Sequence, residues 1–346
     1  LDSQSAPEDR IVNQVKKEMP TVSIVTNVYN AQSTIETYLD SLARQTFKGF
    51  ELVVVDDGST DRTIEIVEGY RQRLNLRVLR LPHIGLRAAR AKGVDAATTE
   101  IVIILDADEV VQPDCIDRFM QPFEDPSVGA VGGRLIPLGE GWIIQGSALL
   151  RDLKHAMRRD KKGEAWVIVG GCMAVRKAAV EAVRGFTSEK QVAEDYDISR
   201  KLREGGWRLV SLDDLEVFHR DPMTLFEVFQ RQFKVGRRFF PTLRTGMTSL
   251  PILKLVAPIF YTLSLVGAIM LTMADVWVGA FILALMFIAV ILLFRKINST
   301  LAQKTFAWVV LTVDSLGYTL GAVLSLVQGA FGTIIGRLFS KNYLTA

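Results

Sequence analysis

From residue 21 onward, apolar and polar positions switch between two periods. "TVSIVTNV", "FELVVV", "LRVLRL" and "IVIIL" are short runs rich in β-branched residues, as buried strands are. Between them "STIETYLDSLARQ", "TDRTIEIVEGYRQRL" and "GLRAARAKGVDAA" repeat apolar positions at helical spacing. Ser33 and Glu36 have the spacing of a capping box. Strands alternating with helices of this length predict an α/β fold, a mostly parallel sheet flanked by helices on both faces. Ligands of such sheets sit beyond the carboxyl ends of the strands. Those ends carry Tyr29 and Asn30, then Asp56 and Asp57, then Asp106 and Asp108.

Composition alters the picture after residue 250. The chain of 346 residues is 49% hydrophobic, and the apolar residues are unevenly spread. Uncharged runs extend from Leu255 to Ala274, from Val276 to Phe294 and from Ser315 to Gly336. Each approaches the roughly 20 residues that cross a bilayer, longer than buried core helices usually run without charge. About three spans are therefore expected. Arg and Lys cluster between Arg231 and Lys254 and again at Arg295, Lys296 and Lys304. The positive-inside tendency assigns both clusters to the cytoplasmic side, making the first two runs a hairpin turning at Asp275. The third run then leaves the C-terminus outside, unless it is re-entrant. A multi-pass membrane protein with a cytoplasmic soluble domain is the expectation.

The expected organisation is an N-terminal arm at 1–20, an α/β domain at 21–222, an amphipathic region at 223–250 and a membrane region at 251–346. The opening "LDSQSAPEDR" lacks an apolar h-region, so a signal peptide is not expected there. A net charge of +3 is too small to point to nucleic acid. Cys115 and Cys172 form neither a metal spacing nor a disulfide framework.

The acidic pair at Asp106 and Asp108 carries the first chemical signal. Two carboxylates separated only by Ala107, at the mouth of an apolar strand, repel each other and resist desolvation. They are either solvated turn residues or ligands to a divalent cation. Mg²⁺ and Mn²⁺ take oxygen ligands and bridge carboxylates to phosphates. The segment after the first strand is "YNAQST", with no Gly-x-Gly-x-x-Gly, and no Walker A motif occurs. Phosphate binding would therefore rest on metal and cationic side chains. Further along, Gly170 and Gly171 in "VGGCMAVRK" would let backbone approach a sugar closely. Glu194 and Asp195 in "AEDYDIS" precede an amphipathic helix, and His219 follows in "VFHRD".

Jointly, "SIVTNVYNAQSTI", "LVVVDDGSTD", "GLRAARAKGVDAATTEIVIILDADEVVQPD", "GGCMAVRK" and "EDYDIS" resemble the family 2 glycosyltransferases of the GT-A fold, from Thr21 to about Arg238. The resemblance implies a Rossmann-like catalytic domain, a UDP- or GDP-sugar donor and inversion at the anomeric carbon. It implies base and ribose contacts from Tyr29, Asp57 and Asp56, with Gly171 at the donor. It implies Asp106 and Asp108 as metal ligands, His219 as a further ligand, and Asp195 as general base. Processive members carry Gln-x-x-Arg-Trp, but here Gln230 is followed by Phe233 and Lys234 in the last two positions. Transfer of one sugar per acceptor is expected.

The helix read from "LFEVFQRQFKVGRRFF" places Phe226, Phe229, Phe233 and Phe240 on one stripe. Arg231, Lys234 and Arg238 fall on a neighbouring face, which suits a helix lying in the membrane interface. Packing against a core would give the same pattern. Arg237 lies on the Phe side and is a candidate for the donor diphosphate. Trp142 and the basic run from Arg158 to Lys162 are candidates to meet a lipid-linked acceptor. Gly317, Gly321, Ser325 and Gly329 recur every four residues, permitting close helix packing within the chain or in a homo-oligomer. Asp314 wants a partner. The functional expectation is a metal-dependent membrane glycosyltransferase acting on a hydroxyl of a lipid-linked or membrane-associated acceptor. The alternatives are a polyprenyl-phosphate glycosyl synthase and a catalytically silent membrane scaffold.

Overall fold

The computed structural model describes residues 21–160, 162–186, 194–237, 252–295, 297 and 299–340. Strands β1 (Val22–Val28), β2 (Phe50–Asp56), β3 (Leu76–Arg80) and β4 (Ile101–Leu105) are those read from the sequence. Helices α1 (Ile35–Ala43), α2 (Thr63–Glu68) and α3 (Leu86–Ala96) connect them. There follow β5 (Glu109–Val111), α4 (Cys115–Met120), β6 (Val128–Leu138), α5 (Trp142–Ala156), β7 (Cys172–Arg176), α6 (Lys177–Ala182), α7 (Glu194–Glu204) and β8 (Arg208–Arg220). The C-terminal part is helical: α8 (Leu225–Gly236), α9 (Ile252–Ala274), α10 (Val276–Leu293) and α11 (Leu301–Ser340).

The eight strands form one sheet in the order β3-β2-β1-β4-β7-β6-β8-β5. The first four are mutually parallel, so their carboxyl ends open on one edge, as the alternating pattern requires. The second half is mixed: β7 runs antiparallel to β4 and β6, while β6 pairs parallel with β8 and β5 antiparallel with β8. The mostly parallel expectation thus holds for the N-terminal half, and the whole is a mixed α/β sheet. β2 is buried along its whole length and β4 likewise, because helices cover both faces and no polar face is needed. Cys115 and Cys172 are buried free thiols.

Two details of the helices differ from the sequence reading. The Ser33–Glu36 capping box does not form. Thr34 is the N-cap of α1, without a side-chain cap, and the backbone N–H groups of Thr34 and Ile35 turn back to the carbonyl of Ala31. Capping boxes form instead at α8, where Thr224 Oγ1 accepts from Glu227 N and Glu227 Oε2 accepts from Thr224 N, and at α11, where Thr300 Oγ1 accepts from Gln303 N and Gln303 Oε1 accepts from Thr300 N. Helix α8 also packs on protein rather than presenting a free basic face. Phe226 is exposed, but Phe229 and Phe233 are half-buried and stacked at 6.1 Å. Arg231 turns inward to Asp221. Phe240 and Arg238, which complete the expected faces, lie outside the described residues.

The small-residue stripe of α11 explains that packing. A Cβ at Gly317 would lie 2.6 Å from the carbonyl of Phe229, and one at Gly321 would lie 2.2 Å from that of Phe233. Reciprocally, a Cβ at Gly236 would lie 2.1 Å from the carbonyl of Tyr318. Three glycines let two backbones touch, as small residues do at helix crossings. At these positions the stripe serves α8 of the same chain. On the other side, Gly146 of α5 meets the backbone of Phe306 and Ala307. An apolar cluster including Leu150, Val228, Phe294 and Val310 joins α5, α8, α11 and the end of α10.

Among the described residues, Val276–Leu293 and Leu301–Gln328 are long and apolar enough to cross a membrane, and Ala257–Met273 is a shorter apolar helix. The turn between α9 and α10 falls at Asp275, whose carboxylate accepts from Trp277 N and Val278 N. At 40 residues, α11 is about 60 Å long, twice the roughly 30 Å of a bilayer core. Its first third packs against the α/β domain, and the remainder is still long enough to span.

Replacing Gly321 by Ala should lower the melting temperature of detergent-purified protein by several degrees, since the methyl meets the backbone of α8 at Phe233, Gly236 and Arg237. Gly267→Ala, in open space within α9, should be neutral or slightly stabilising. Equal melting temperatures for the two variants would show that the α8–α11 contact contributes nothing.

Candidate active site

The carboxyl edge of the parallel strands collects the polar residues. Asp57 follows β2, and its carboxylate accepts from the backbone N–H groups of Ile84 and Gly85 at 2.7 and 2.9 Å. Asp56 accepts from Ser59 N at 2.9 Å. These bonds shape the loops after β2 and β3. Tyr29, half exposed at the end of β1, stacks on His83 with ring centroids 4.3 Å apart. His83 lies 3.1 Å from Asp57 Oδ2. An exposed aromatic pair over a fixed carboxylate can receive a flat base and a hydroxylated ring. With β1 between β2 and β4, the ends of β2 and β4 that carry Asp57 and Asp106 are two strand spacings apart, about 10 Å.

At the end of β4, Asp106 and Asp108 are held very differently. Asp106 Oδ1 accepts from Arg90 Nη2 at 2.9 Å. Arg90, on α3, is buried and donates through its other nitrogen to Glu194 on α7. Asp108 faces His219, with Nε2 to Oδ2 at 3.6 Å. That pair forms because β5 turns back beside β8, setting Glu109 opposite His219. Burial raises the Asp108 carboxyl above its ordinary range, Asp106 adds to this, and His219 opposes it. His219 Nδ1 lies 3.1 Å from Asp221, which also accepts from Arg151 and Arg231. Although burial works against its charge, hydrogen bonds from His219 and Arg151 keep the Asp221 carboxyl far below the usual range.

The Gly-Gly motif lies between these groups. Gly171 immediately precedes β7, whose Cys172 pairs with Leu105 of β4. A Cβ at Gly171 would sit 2.5 Å from Asp106 Oδ2 and 2.6 Å from Glu109 Oε1. A Cβ at Gly170 would sit 2.8 Å from Arg90 Nη1 and 3.8 Å from Cβ of Asp195. Two successive residues, with Cα atoms about 3.8 Å apart, thus touch the Asp-x-Asp motif on one side and Asp195 on the other. Asp195 is half-buried at the start of α7. Burial pushes its carboxyl above the ordinary range, against the pull of Arg158 and Arg90.

Among the described residues no three His, Cys, Asp or Glu side chains converge closely enough to hold a metal as they stand. The donor chemistry nevertheless suits a hard cation. Asp106 Oδ2 and Asp108 offer carboxylate oxygen and His219 a ring nitrogen. Glu109 Oε1 is buried without a hydrogen-bond partner among the described residues. Burial and the Asp106 charge push the Glu109 carboxyl well up.

Of the residues marked in the sequence, Asp106, Asp108, Gly171, Asp195 and His219 come together, with Tyr29, Asp56 and Asp57 along the same edge. Arg237 stands exposed at the C-terminal cap of α8 and does not line the cavity beneath that helix; Arg231 reaches inward instead. Sequence reasoning passed over Arg90, His83, Glu109, Arg151 and Asp221. Only Arg90 carried a signal, as a cation within "GLRAARAKG", on the helix entering the fourth strand.

Replacing Arg90 by Gln should destabilise the fold by about 3 kcal/mol, the order expected when a buried pair loses one partner. Chemical denaturation would measure it. An unchanged midpoint would mean that solvent already satisfies Asp106 and Glu194.

Comparison with known proteins agrees with this layout. Residues 23–184 match the family model described as glycosyl transferase family 2. The uncharacterized glycosyltransferase EpsJ of Bacillus subtilis is 36% identical over 224 residues, covering 61% of this chain and 64% of that protein. The putative glycosyltransferase EpsH of the same organism is 36% identical over 109 residues, 31% of this chain and 32% of that one. The chain therefore spans less than two thirds of either relative. The O-antigen chain rhamnosyltransferase RfbN of Salmonella typhimurium is 27% identical, covering 62% of this chain and 71% of its own. The structure of a mannosyltransferase from Pyrobaculum calidifontis, in complex with GDP-Man and Mn²⁺, superposes with a TM-score of 0.59 at 22% identity, covering 92% of both chains. Residues 23–184 of this chain accordingly match glycosyl transferase family 2, on an α/β sheet with the GT-A fold.

Proposed function

We propose that this protein is an inverting, divalent-cation-dependent membrane glycosyltransferase. It moves one sugar from a nucleotide-sugar to a hydroxyl of a lipid-linked or membrane-associated acceptor. The observation that carries this reading is the Gly170–Gly171 backbone, which has Asp106 against one residue and Asp195 against the next. A donor lying over that backbone has its diphosphate toward Asp106 and Asp108 and its anomeric carbon toward Asp195.

Each group then has a role matched to its surroundings. The Tyr29–His83 stack receives the base of a UDP- or GDP-sugar, with Asp57 and Asp56 holding the loops that frame it. Asp106, Asp108 and His219 hold the cation, whose bound charge would offset that of the departing diphosphate. Arg90 fixes Asp106 from below and, through Glu194, sets the start of the helix bearing Asp195. Asp195 takes the proton of the acceptor hydroxyl as its oxygen attacks the anomeric carbon, and the bond to the nucleoside diphosphate breaks on the opposite face. Such a base typically contributes 10²–10⁴-fold. Its raised pKa makes Asp195 a stronger proton acceptor than a solvated aspartate. That is of use to a neutral hydroxyl and of little use to an already anionic phosphate, which supports the hydroxyl acceptor over the polyprenyl-phosphate reading.

Support for the donor and cation comes from the Pyrobaculum mannosyltransferase, whose structure contains GDP-Man and Mn²⁺. Support for the membrane comes from α10 and α11 and from the basic segments flanking α9 and α10. These favour a cytoplasmic catalytic domain above a multi-pass anchor.

Asp195→Asn should bind donor as the wild type does yet lose transfer by at least about 10²-fold, measured as nucleoside diphosphate release with acceptor present. Wild-type rates would remove Asp195 from the base role. In the unaltered enzyme, kcat/KM should fall as pH drops through the folded pKa of Asp195. Because burial raises that pKa, the acid limb should lie above the ordinary aspartate value of about 3.9. A limb at or below that value would contradict the assignment.

A further inference from the structure

The cavity beneath α8, of about 220 Å³, lies between α5, α8 and α11 and reaches Asp221, the neighbour of His219. Arg151, Lys154, Arg158 and Arg231 line it, against two carboxylates, Asp221 and Asp314. Arg151 and Arg231 are engaged with Asp221. Lys154 faces the open space, and Asp314 is its principal opposing charge. Arg158 has no ion pair among the described residues. Four cations face two carboxylates, so the cavity carries a surplus of positive charge, which favours entry of an anion.

Unsatisfied donors point the same way. Ser147 Oγ and Arg231 Nε are buried and lack hydrogen-bond partners among the described residues, and both residues line the cavity. Buried polar groups in native proteins are rarely left unpaired without a ligand or water to receive them. A hydroxyl and guanidinium and ammonium groups around a small cavity match the oxygen-rich, multiply charged surface of a phosphate.

The position of the cavity separates two kinds of phosphate. Its wall is α11, through Val310 and Asp314, just before the part of that helix on which α8 packs. Asp314 lies beside Gln232 and in the field of Lys154 and Arg231, so the neighbours that the sequence left unnamed come from α5 and α8. This is the level at which a polar wall gives way to an apolar helix long enough to cross a bilayer, where lipid headgroups lie. The field of Arg158 also reaches Asp195.

We propose that this cavity binds the phosphate or diphosphate of a lipid-borne acceptor, with the lipid directed along α11 and the acceptor hydroxyl presented to Asp195. The inference rests on the hydroxyl-acceptor reading above and adds to it the anionic group by which the acceptor is held. Arg158 and Lys154 are the residues available to the phosphate, and Ser147 and Arg231 complete its hydrogen bonds.

Binding can be tested without turnover, so it stands apart from the transferase reading. Farnesyl diphosphate, farnesol and inorganic diphosphate would be titrated against detergent-purified full chain by thermophoresis, with a donor sugar nucleotide and Mn²⁺ in a parallel series. Wild type should bind farnesyl diphosphate, and bind farnesol and inorganic diphosphate about ten-fold more weakly or worse. Arg158→Gln and Lys154→Gln should each weaken farnesyl diphosphate binding by about ten-fold, as loss of a charge-assisted hydrogen bond does, and leave donor affinity unchanged. Arg158→Gln disturbs no ion pair seen among the described residues and guards against misfolding of the Lys154 variant. Unchanged farnesyl diphosphate binding in the Arg158 variant would overturn the proposal. Loss of donor affinity would overturn it too, assigning the cavity to the donor diphosphate. Equal affinity for inorganic diphosphate and farnesyl diphosphate would overturn the lipid-borne source.

Discussion

Arg90 is the interaction on which the site depends. Its buried guanidinium holds Asp106 at the end of β4 and Glu194 at the head of α7. Helix α3 is thereby tied to α7 through Arg90 and Glu194, 104 residues apart in the chain, and both are set against the end of β4. Two carboxylates could not approach so closely beside an apolar sheet without a cation between them. The same pair of contacts fixes where Asp195 can stand, because it follows Glu194 directly. Gly170 and Gly171 then pack the loop before β7 into the space that remains. Acid motif, glycine motif and base are thus three parts of one electrostatic arrangement.

A second arrangement ties that site to the C-terminal helices. His219 passes from Asp108 to Asp221, Asp221 to Arg151 and Arg231, and Arg231 to the neighbourhood of Asp314 on α11. Polar groups run without interruption from the sheet edge to the helix read as a membrane span. Glycine contacts between α8 and α11 hold this chain in register. Helix α8 is therefore a structural bracket, with its Arg231 directed toward Asp221.

Much of this was legible in the sequence, for identifiable reasons. β1 to β4 show themselves because strands covered on both faces must be apolar throughout, as "IVIIL" is. The ends of parallel strands fall on one edge, so the Asp56–Asp57 and Asp106–Asp108 pairs could be placed together before any contact was known. What stayed hidden depends on non-local pairing. Nothing near Asp221 marks it as the hub for two arginines from different helices, and Glu109 is a β-strand residue whose burial follows from the antiparallel return of β8. The Ser33–Glu36 box failed because a turn to Ala31 had already satisfied the first N–H groups of α1. Helical spacing assigns Arg231 to the basic face of an interfacial helix, while the inward carboxylate that attracts it, Asp221, lies in another element.

The most direct test of the central claim, that this sheet edge is a cation-dependent nucleotide-sugar site, is thermal denaturation of the detergent-purified chain with UDP-, GDP- and dTDP-sugars, each with Mn²⁺ or with EDTA. Ligand bound only by the native state raises its stability by RT ln(1 + [L]/Kd). The account predicts a stabilising shift with one nucleotide class that is present with Mn²⁺ and lost with EDTA. A cooperatively melting protein that responds to no donor in either condition would contradict it.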